Sequence, residues 1–245
     1  MRKIDLNDVT FVIPFYRDSE ERFENLKCVL RFINDNFDTN ICISEVGTSS
    51  VWAELDISGC HTFEFREDGL FHRTKVINDG IKHPGVKTPF IAIYDTDVVF
   101  DPDNIFKAVK LLRSGVTLVY PYGGEFVDIK RSYIKDGVII EKESFTSESV
   151  GGACFINKKD YWECGLEVEY YKNWCPDDVT RRYIIETMGY KTSRVDGKCY
   201  HISHPPSQTS GVNIYTETNN KIWDKIRSMN KKELILFIRK FEWLK

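Results

Sequence analysis

No stretch of this 245-residue sequence approaches the roughly 18–20 consecutive apolar residues that a membrane span requires. The opening residues, MRKIDLNDVTFVIPF, lack an apolar core followed by a small-residue cleavage site. No signal peptide is read there, and a cytoplasmic protein is expected. Neither sign of charge is in excess. The 34 Lys and Arg against 37 Asp and Glu leave a net charge of -3, which gives no hint of a nucleic-acid partner. The seven cysteines (Cys28, Cys42, Cys60, Cys154, Cys164, Cys175 and Cys199) contain no CxxC pair, which argues against a zinc ribbon. Their number is odd, and several sit in apolar runs such as ICISEV and GGACFI, where a thiol acts as a small core hydrophobe. Free thiols in a reducing compartment are therefore expected, rather than a disulfide-bonded secreted domain. Internal repeats and low-complexity segments are also missing.

What the chain does have is alternation of buried strands and helices. Val9 to Phe15 is a continuous apolar, β-branched run, the pattern of a strand covered on both faces. Ser19 then reads as an N-cap with Glu20 and Glu21 in the first turn, and Phe23, Leu26, Leu30 and Ile33 follow at helical spacing. Strands are predicted at Ile41–Val46, His61–Phe65, Phe90–Tyr94 and Val116–Tyr120. Helices are predicted at Phe71–Ile81 and from a cap at Asp103 to near Gly115. This order implies an open α/β sheet with helices on both faces. Farther on, Lys135-Asp136-Gly137 reads as a hairpin turn, Ser144–Val150 as a polar loop and Gly152–Asn157 as a strand. Asp177–Met188 reads as a helix ended by Gly189, Lys191–Val195 as a strand, and Tyr200–Gly211 as a loop.

The run FIAIYDTDVVF places Asp95 and Asp97 at the carboxyl end of a buried strand. In open α/β sheets that is where ligands bind. Alternate side chains of an extended segment point the same way, so the two carboxylates repel unless a cation lies between them. A hard divalent cation such as magnesium or manganese takes oxygen ligands and keeps positions open for phosphate oxygens. Asp-x-Asp here points to a metal–diphosphate site; the plainer alternative is a turn with Asx-type bonds to the backbone.

Four further segments share the chain with it in a fixed order: VIPFYR (Val12–Arg17) and FHRTKVINDG (Phe71–Gly80) before it, SVGGACFI (Ser149–Ile156) and NWCPDDVTRR (Asn173–Arg182) after it. YHISHPP (Tyr200–Pro206) closes the set. Together, over Thr10 to Pro206, they resemble the inverting glycosyltransferases of the GT-A fold. The resemblance is to the β-1,4-galactosyltransferase family (family 7) and to bacterial family 2 enzymes that share its C-terminal motif. Two departures stand out. The first turn offers only Arg17 where the family often has two arginines. The family's Trp-Gly-x-Glu-Asp becomes Trp174-Cys175-Pro176-Asp177-Asp178.

The resemblance implies a Rossmann-like nucleotide-diphospho-sugar transferase fold with a mixed sheet, manganese or magnesium as cofactor, and a UDP-sugar as donor. Asp97 matches the metal-coordinating second acid, and Asp95 would help hold the metal or the ribose. His201 or His204 would complete the metal shell, neutral imidazole being a competent ligand. Asp178 matches the general base that takes the acceptor's proton, and Asp177 would contact donor or acceptor hydroxyls. The same two acids would also favour a helix N-terminus without any catalysis. Arg17, Arg73 and Lys75 would face diphosphate or uridine, or serve only as solvated charges. Pro14 and Phe15 would shape the nucleotide pocket, Asn78 falls in the FHRTKVINDG segment, and Glu45 ends the second strand, where related enzymes place an acid near the base or ribose. Gly151 and Gly152 would admit the sugar close to backbone. Trp174 would offer a sugar ring an apolar face, or be a core aromatic.

The expected organisation is a catalytic domain over residues 1–217, with a donor half (1–122) and an acceptor half (123–217), and a helical tail over 218–245. The tail is amphipathic and basic, from Ile222 and Trp223 to Phe241 and Trp243, amid eight Lys and Arg from Lys221 onward. It would pack on the domain, or lie on an anionic membrane surface beside a lipid-linked acceptor at the inner face. The expected activity is transfer of galactose or N-acetylgalactosamine from UDP to a glycan acceptor, forming a β-linkage in polysaccharide or surface-glycan synthesis. A sugar-nucleotide nucleotidyltransferase is the first rival. It would carry a Gly-rich basic loop after the first strand, and PFYRDSEERF has no glycine. A non-catalytic nucleotide-sugar binding module is the second.

Overall fold

Leu6, Val9, Phe11, Val12 and Ile13 are all fully buried, as a strand in mid-sheet must be when helices cover both its faces. They belong to β1 (Ile4–Tyr16), which runs beside β2 (Phe37–Gly47) on one side and β4 (Phe90–Tyr94) on the other, both parallel. The computed structural model describes residues 2–68, 70–131, 144–146, 148–205 and 211–245. The turn expected at Lys135-Asp136-Gly137 lies outside them.

Between β1 and β2 runs α1 (Glu20–Asn36), capped by the Ser19 hydroxyl, which accepts from the Arg22 amide. β3 (Cys60–Phe65) and α2 (Arg73–Lys82) precede β4; β5 (Val98–Val99) and α3 (Pro102–Arg113) follow it. The cap of α3 is Asp101, not Asp103: its carboxylate accepts from the Asp103 amide, and Pro102 fills the first helical position, where no amide hydrogen is needed. Next come β6 (Leu118–Tyr120), β7 (Glu125–Ile129), β8 (Ser144–Thr146), β9 (Ala153–Asn157), α4 (Lys158–Glu163) and α5 (Asp177–Met188). The chain ends in β10 (Thr192–Arg194), β11 (Lys198–Ile202), α6 (Thr216–Arg227) and α7 (Lys231–Ile238).

Seven strands form the main sheet in the order β10-β6-β9-β4-β1-β2-β3. Only β9 runs against its neighbours β4 and β6; every other pair is parallel. A second sheet, β5-β11-β7-β8, stands beside it. Lys198–Ile202, read from sequence as loop in its last three residues, is thus a strand. It gains its pairing from β5, antiparallel, and β7, parallel.

The tail is two helices rather than one. Asn230 caps the second with a reciprocal bond from its own amide to Glu233. Its apolar residues Ile226, Leu234, Ile238 and Phe241 are buried against the domain, and the Trp243 indole donates to the Gly165 carbonyl. The apolar face offered by the sequence either to a membrane or to the domain is turned to the domain. Among the described residues no helix is long and apolar enough to cross a membrane. None of the seven cysteines is disulfide-bonded.

Helix α2 lies close on the sheet at Gly80, where an added Cβ would come 2.7 Å from Val12 Cγ1 and 3.1 Å from Ser44 Cβ. Val12 is stiff at χ1 and fully buried, so it has little room to yield. Gly80→Ala is expected to destabilise the fold by about 1–3 kcal/mol although alanine is the better helix former. A lowered urea midpoint at unchanged m-value is the result to look for. A midpoint at or above wild type would show that the helix can move away.

Candidate active site

β1, β2 and β4 are parallel, so their carboxyl ends share one edge of the sheet. The chain leaves β4 there through Asp95, Thr96 and Asp97. Two backbone bonds fix this exit: the Asp95 amide donates to the Gly152 carbonyl at 2.8 Å, and the Ile202 amide donates to the Asp97 carbonyl at 2.7 Å. β5 then pairs with β11, with His201 opposite Val98. That pairing carries the imidazole of His201, and His204 soon after it, up to Asp97.

Asp97, His201 and His204 each offer a ligand atom, and the three atoms lie within 4.8 Å of one another. His204 Nε2 is 3.0 Å and His201 Nε2 4.0 Å from Asp97 Oδ2. The opposite ring nitrogens are anchored: His201 Nδ1 lies 2.7 Å from Asp128 Oδ1, and His204 Nδ1 lies 2.7 Å from the Pro205 carbonyl. An oxygen acceptor at each Nδ1 holds a hydrogen there and leaves the Nε2 lone pair facing Asp97. Two lone pairs and a carboxylate converge only around a proton or a cation. The donor set of one oxygen and two imidazole nitrogens therefore fits manganese or a similar divalent ion. The Asp97 hydrogen bond raises His204 above the usual imidazole range. Burial pushes the Asp97 carboxyl up, but the bond from His204 and the charges of His201 and Arg22 outweigh it and hold the group below the carboxylate range. Both histidines, not one, reach Asp97.

The other acids meet at Arg73, the first residue of α2. Its Nη2 donates to Asp95 Oδ1 at 2.6 Å, its Nη1 donates to Asp177, and Asp178 Oδ1 is 3.8 Å from Nη1. Asp177 is buried against this guanidinium. Burial pushes its carboxyl up to about 7, with Asp178 adding to the shift and Arg73 opposing it. Asp95 is likewise raised by burial, against the pull of Arg73. Asp178 is more open. It accepts from Arg181 Nη1 at 2.8 Å, and a Cβ on Gly151 would crowd its Oδ2 at 3.2 Å, so glycine keeps that side of the carboxylate clear. Arg181 is in turn fixed by the buried Glu167, which also accepts from the Tyr161 hydroxyl.

A carboxyl raised on folding binds its proton more tightly in the native state. Its contribution to stability is complete below pH 4 and is lost as pH rises from about 4 to about 7. Asp177→Asn is therefore expected to flatten the fall in unfolding free energy across that window, read from urea midpoints at pH 4.5 and 7.5. An equal fall in both proteins would refute the raised value.

A cavity of about 210 Å³ lies over this edge, lined by Pro14, Tyr16, Arg22, Arg73, Asp95, Asp97, Asn173 and Trp174 among others. A second, of about 410 Å³, adjoins it at Tyr16 and Asp18 and includes Arg17, Glu45 and Arg66. Of the remaining expected residues, Phe15 is core, packed on Phe23. Arg17 is paired to Glu20 and Glu54, and Glu45 accepts from the Val51 amide and bonds His61. Gly152, at φ +77°, packs beside Cys199, Phe126 and Val98. Trp174 is 56% exposed at the cavity, so it is not a core aromatic.

Two expected residues, Lys75 and Asn78, are engaged elsewhere. Lys75 pairs with Glu64 and Asp79 away from the acids. Asn78 is fully buried, clamping Glu167 through its amide and carbonyl and reaching Glu169. Sequence reasoning in turn missed Arg22, Asp128, Arg181 and Glu167. Arg22 carried a signal: it sits three residues past the Ser19 cap, on a helix turn at the binding edge.

No protein-family model matches the chain, and no curated protein matches it. Solved structures do. Drosophila β1,4-galactosyltransferase 7, in a mutant form with manganese, UDP-Gal and xylobiose, aligns at TM-score 0.56 and 15% identity over 86% of this chain and 78% of that one. S. aureus TarS with UDP-GlcNAc aligns at TM-score 0.62 and 10% identity over 93% and 70%. The mannosyltransferase PcManGT from Pyrobaculum calidifontis, with GDP-Man and Mn2+, aligns at 0.52 and 15% over 96% and 65%. At such identities the likeness is one of fold, and the fold of this chain is that of the GT-A glycosyltransferases.

Proposed function

We propose that this chain is a metal-dependent inverting glycosyltransferase that moves a hexose or N-acetylhexosamine from a nucleoside-diphosphate sugar to a hydroxyl acceptor. One observation carries the reading: the Asp97-His201-His204 cluster meets the cavity at Asp97, and Arg73 in the same cavity ties Asp95 to the Asp177-Asp178 pair. A structural ion pair alone would not need two anchored imidazoles facing Asp97.

Asp97, His201 and His204 would hold a divalent ion, which would supply Lewis-acid stabilisation to a diphosphate leaving group. Arg22 adds a positive charge beside Asp97, and Arg73 holds Asp95 in place. Pro14 and Tyr16 at the end of β1, with Glu45 at the end of β2, border the space for the nucleoside. Gly151 leaves room beside the Asp178 carboxylate, whereas Gly152 is packed against Cys199 and Phe126. Asp178 takes the proton of the acceptor hydroxyl as that oxygen bonds to the anomeric carbon. The bond from the same carbon to the diphosphate oxygen breaks with its electron pair, so configuration inverts and an α-linked donor gives a β-linkage. Asp177, buried against Arg73, steadies this arrangement rather than reaching for sugar hydroxyls.

UDP-galactose or UDP-N-acetylgalactosamine is the favoured donor. The order of motifs shared with the β-1,4-galactosyltransferases supports it, as does the neighbour solved with UDP-Gal. The neighbours solved with UDP-GlcNAc and GDP-Man mark the alternatives. A glycan or lipid-linked acceptor in surface-polysaccharide synthesis, met at the cytoplasmic face of a membrane, completes the proposal.

The test is a panel of nucleotide sugars with manganese, following release of the nucleoside diphosphate. Turnover of one or a few UDP-sugars is expected, abolished by EDTA and restored by manganese. UDP binding by calorimetry without turnover of any donor would instead mark a binding module. Pyrophosphate release from a nucleoside triphosphate and a sugar phosphate would mark a nucleotidyltransferase.

A further inference from the structure

We infer that the tail helix α6 is a working part of the site, with Asn219 as a positioning residue for Trp174. Asn219 and Ile226 are the buried residues of this otherwise largely exposed helix. The Asn219 side chain is 2% exposed and is spent on one short segment. Its Nδ2 donates to the Lys172 carbonyl at 2.8 Å and to the Trp174 carbonyl at 3.0 Å, and its Oδ1 accepts from the Lys172 amide at 3.2 Å. The amide thus brackets Asn173 from both sides.

The bracketed residue needs holding. Asn173 has φ +54°, the left-handed region, which a non-glycine residue leaves when nothing constrains it. Its Oδ1 is buried without a hydrogen-bond partner among the described residues. Asn173 and Trp174 both line the cavity. Four residues beyond Trp174 stands Asp178, so the bracket fixes both the exposed indole and the approach to the base.

A buried amide on a helix is costly unless all its groups find partners, and an aliphatic residue would dock the helix as well. What the aliphatic residue would not do is set the path of residues 172–174. The consequence for transfer rests on the glycosyltransferase reading; the placement of the indole does not.

The experiment labels the full chain with 5-fluorotryptophan and assigns the Trp174 fluorine line by Trp174→Phe. Asn219→Leu keeps the number of side-chain heavy atoms, favours the helix and removes all three bonds; Asn219→Ala is the second variant. Ile226→Ala, which loosens the same helix elsewhere, is the control. The Trp174 line is expected to shift and broaden in both Asn219 variants and to stay in place in Ile226→Ala. In the same proteins, transfer from UDP-galactose to p-nitrophenyl β-glucopyranoside is expected to show acceptor KM raised about tenfold, the loss of one or two net hydrogen bonds. An unmoved Trp174 line in Asn219→Leu overturns the inference, as does an equal movement in Ile226→Ala. Absence of any donor turnover in wild type would defeat the glycosyltransferase reading and leave the spectral result to decide the bracket.

Discussion

Asp178→Asn is expected to lower the transfer rate by about 10²–10⁴-fold, the range for removing a general base, while affinity for UDP and manganese stays as in wild type. Asparagine keeps the shape of the side chain, and its Oδ1 still accepts from Arg181, whose place is fixed by Glu167 rather than by Asp178. The guanidinium framework therefore survives the substitution, and only the capacity to take a proton is lost. The variant has a second signature. Asp178 is one of the charges that raise Asp177, so the Asp177 carboxyl should titrate lower in the variant. Retained turnover would move the base elsewhere. Lost UDP affinity would mean that the substitution had disturbed the donor site as well.

Asp97→Ala is expected to abolish the stabilisation that manganese gives the native state. At a metal concentration 100 times Kd, that stabilisation is about 2.7 kcal/mol in wild type, a rise in Tm of several degrees. Asp97 is the one member of the cluster that both imidazoles face and its one carboxylate. Without it two neutral nitrogens remain, next to Arg22, a cation that repels another. Turnover should fall with the metal, by a factor on the order of 10³ or more if the ion supplies several kcal/mol to the leaving group. Asp97→Asn separates charge from shape: it should lose nearly as much. A manganese-induced rise in Tm that persists in Asp97→Ala would remove the cluster from consideration as the metal site.

Much of the frame was legible because strong local signals bound it. Phe90–Tyr94 is a strand over the residues predicted, since Pro89 precedes the apolar run and Asp95 ends it. Asp177–Met188 is a helix over the residues predicted, since Gly189 takes the left-handed conformation at its end. The failures share a cause as well. Lys198–Ile202 has no periodicity that would announce a strand, and one of its two neighbours is a strand of only two residues. Asp128, the partner of His201, follows only from the parallel register of β7 and β11. Lys75 and Asn78 were placed with Arg73 by motif order, but successive helix residues turn by about 100°, so Lys75 lies about 200° round α2 from Arg73. Motif order identifies which segments meet; it does not say which face of a helix meets the ligand.

The antiparallel pairing of β5 with β11 has a kinetic consequence. It joins Asp97 to histidines up to 107 positions farther along the chain. No short peptide from this protein contains more than one side of the ligand set, and an unfolded chain would have to close a very long loop to assemble it. High-affinity chelation is thus a property of the finished topology. In a refolding experiment, the uptake of manganese should trail the recovery of helical circular dichroism and coincide with the last long-range contacts to form. The ion would then serve the experimenter as a clock for completion of the fold.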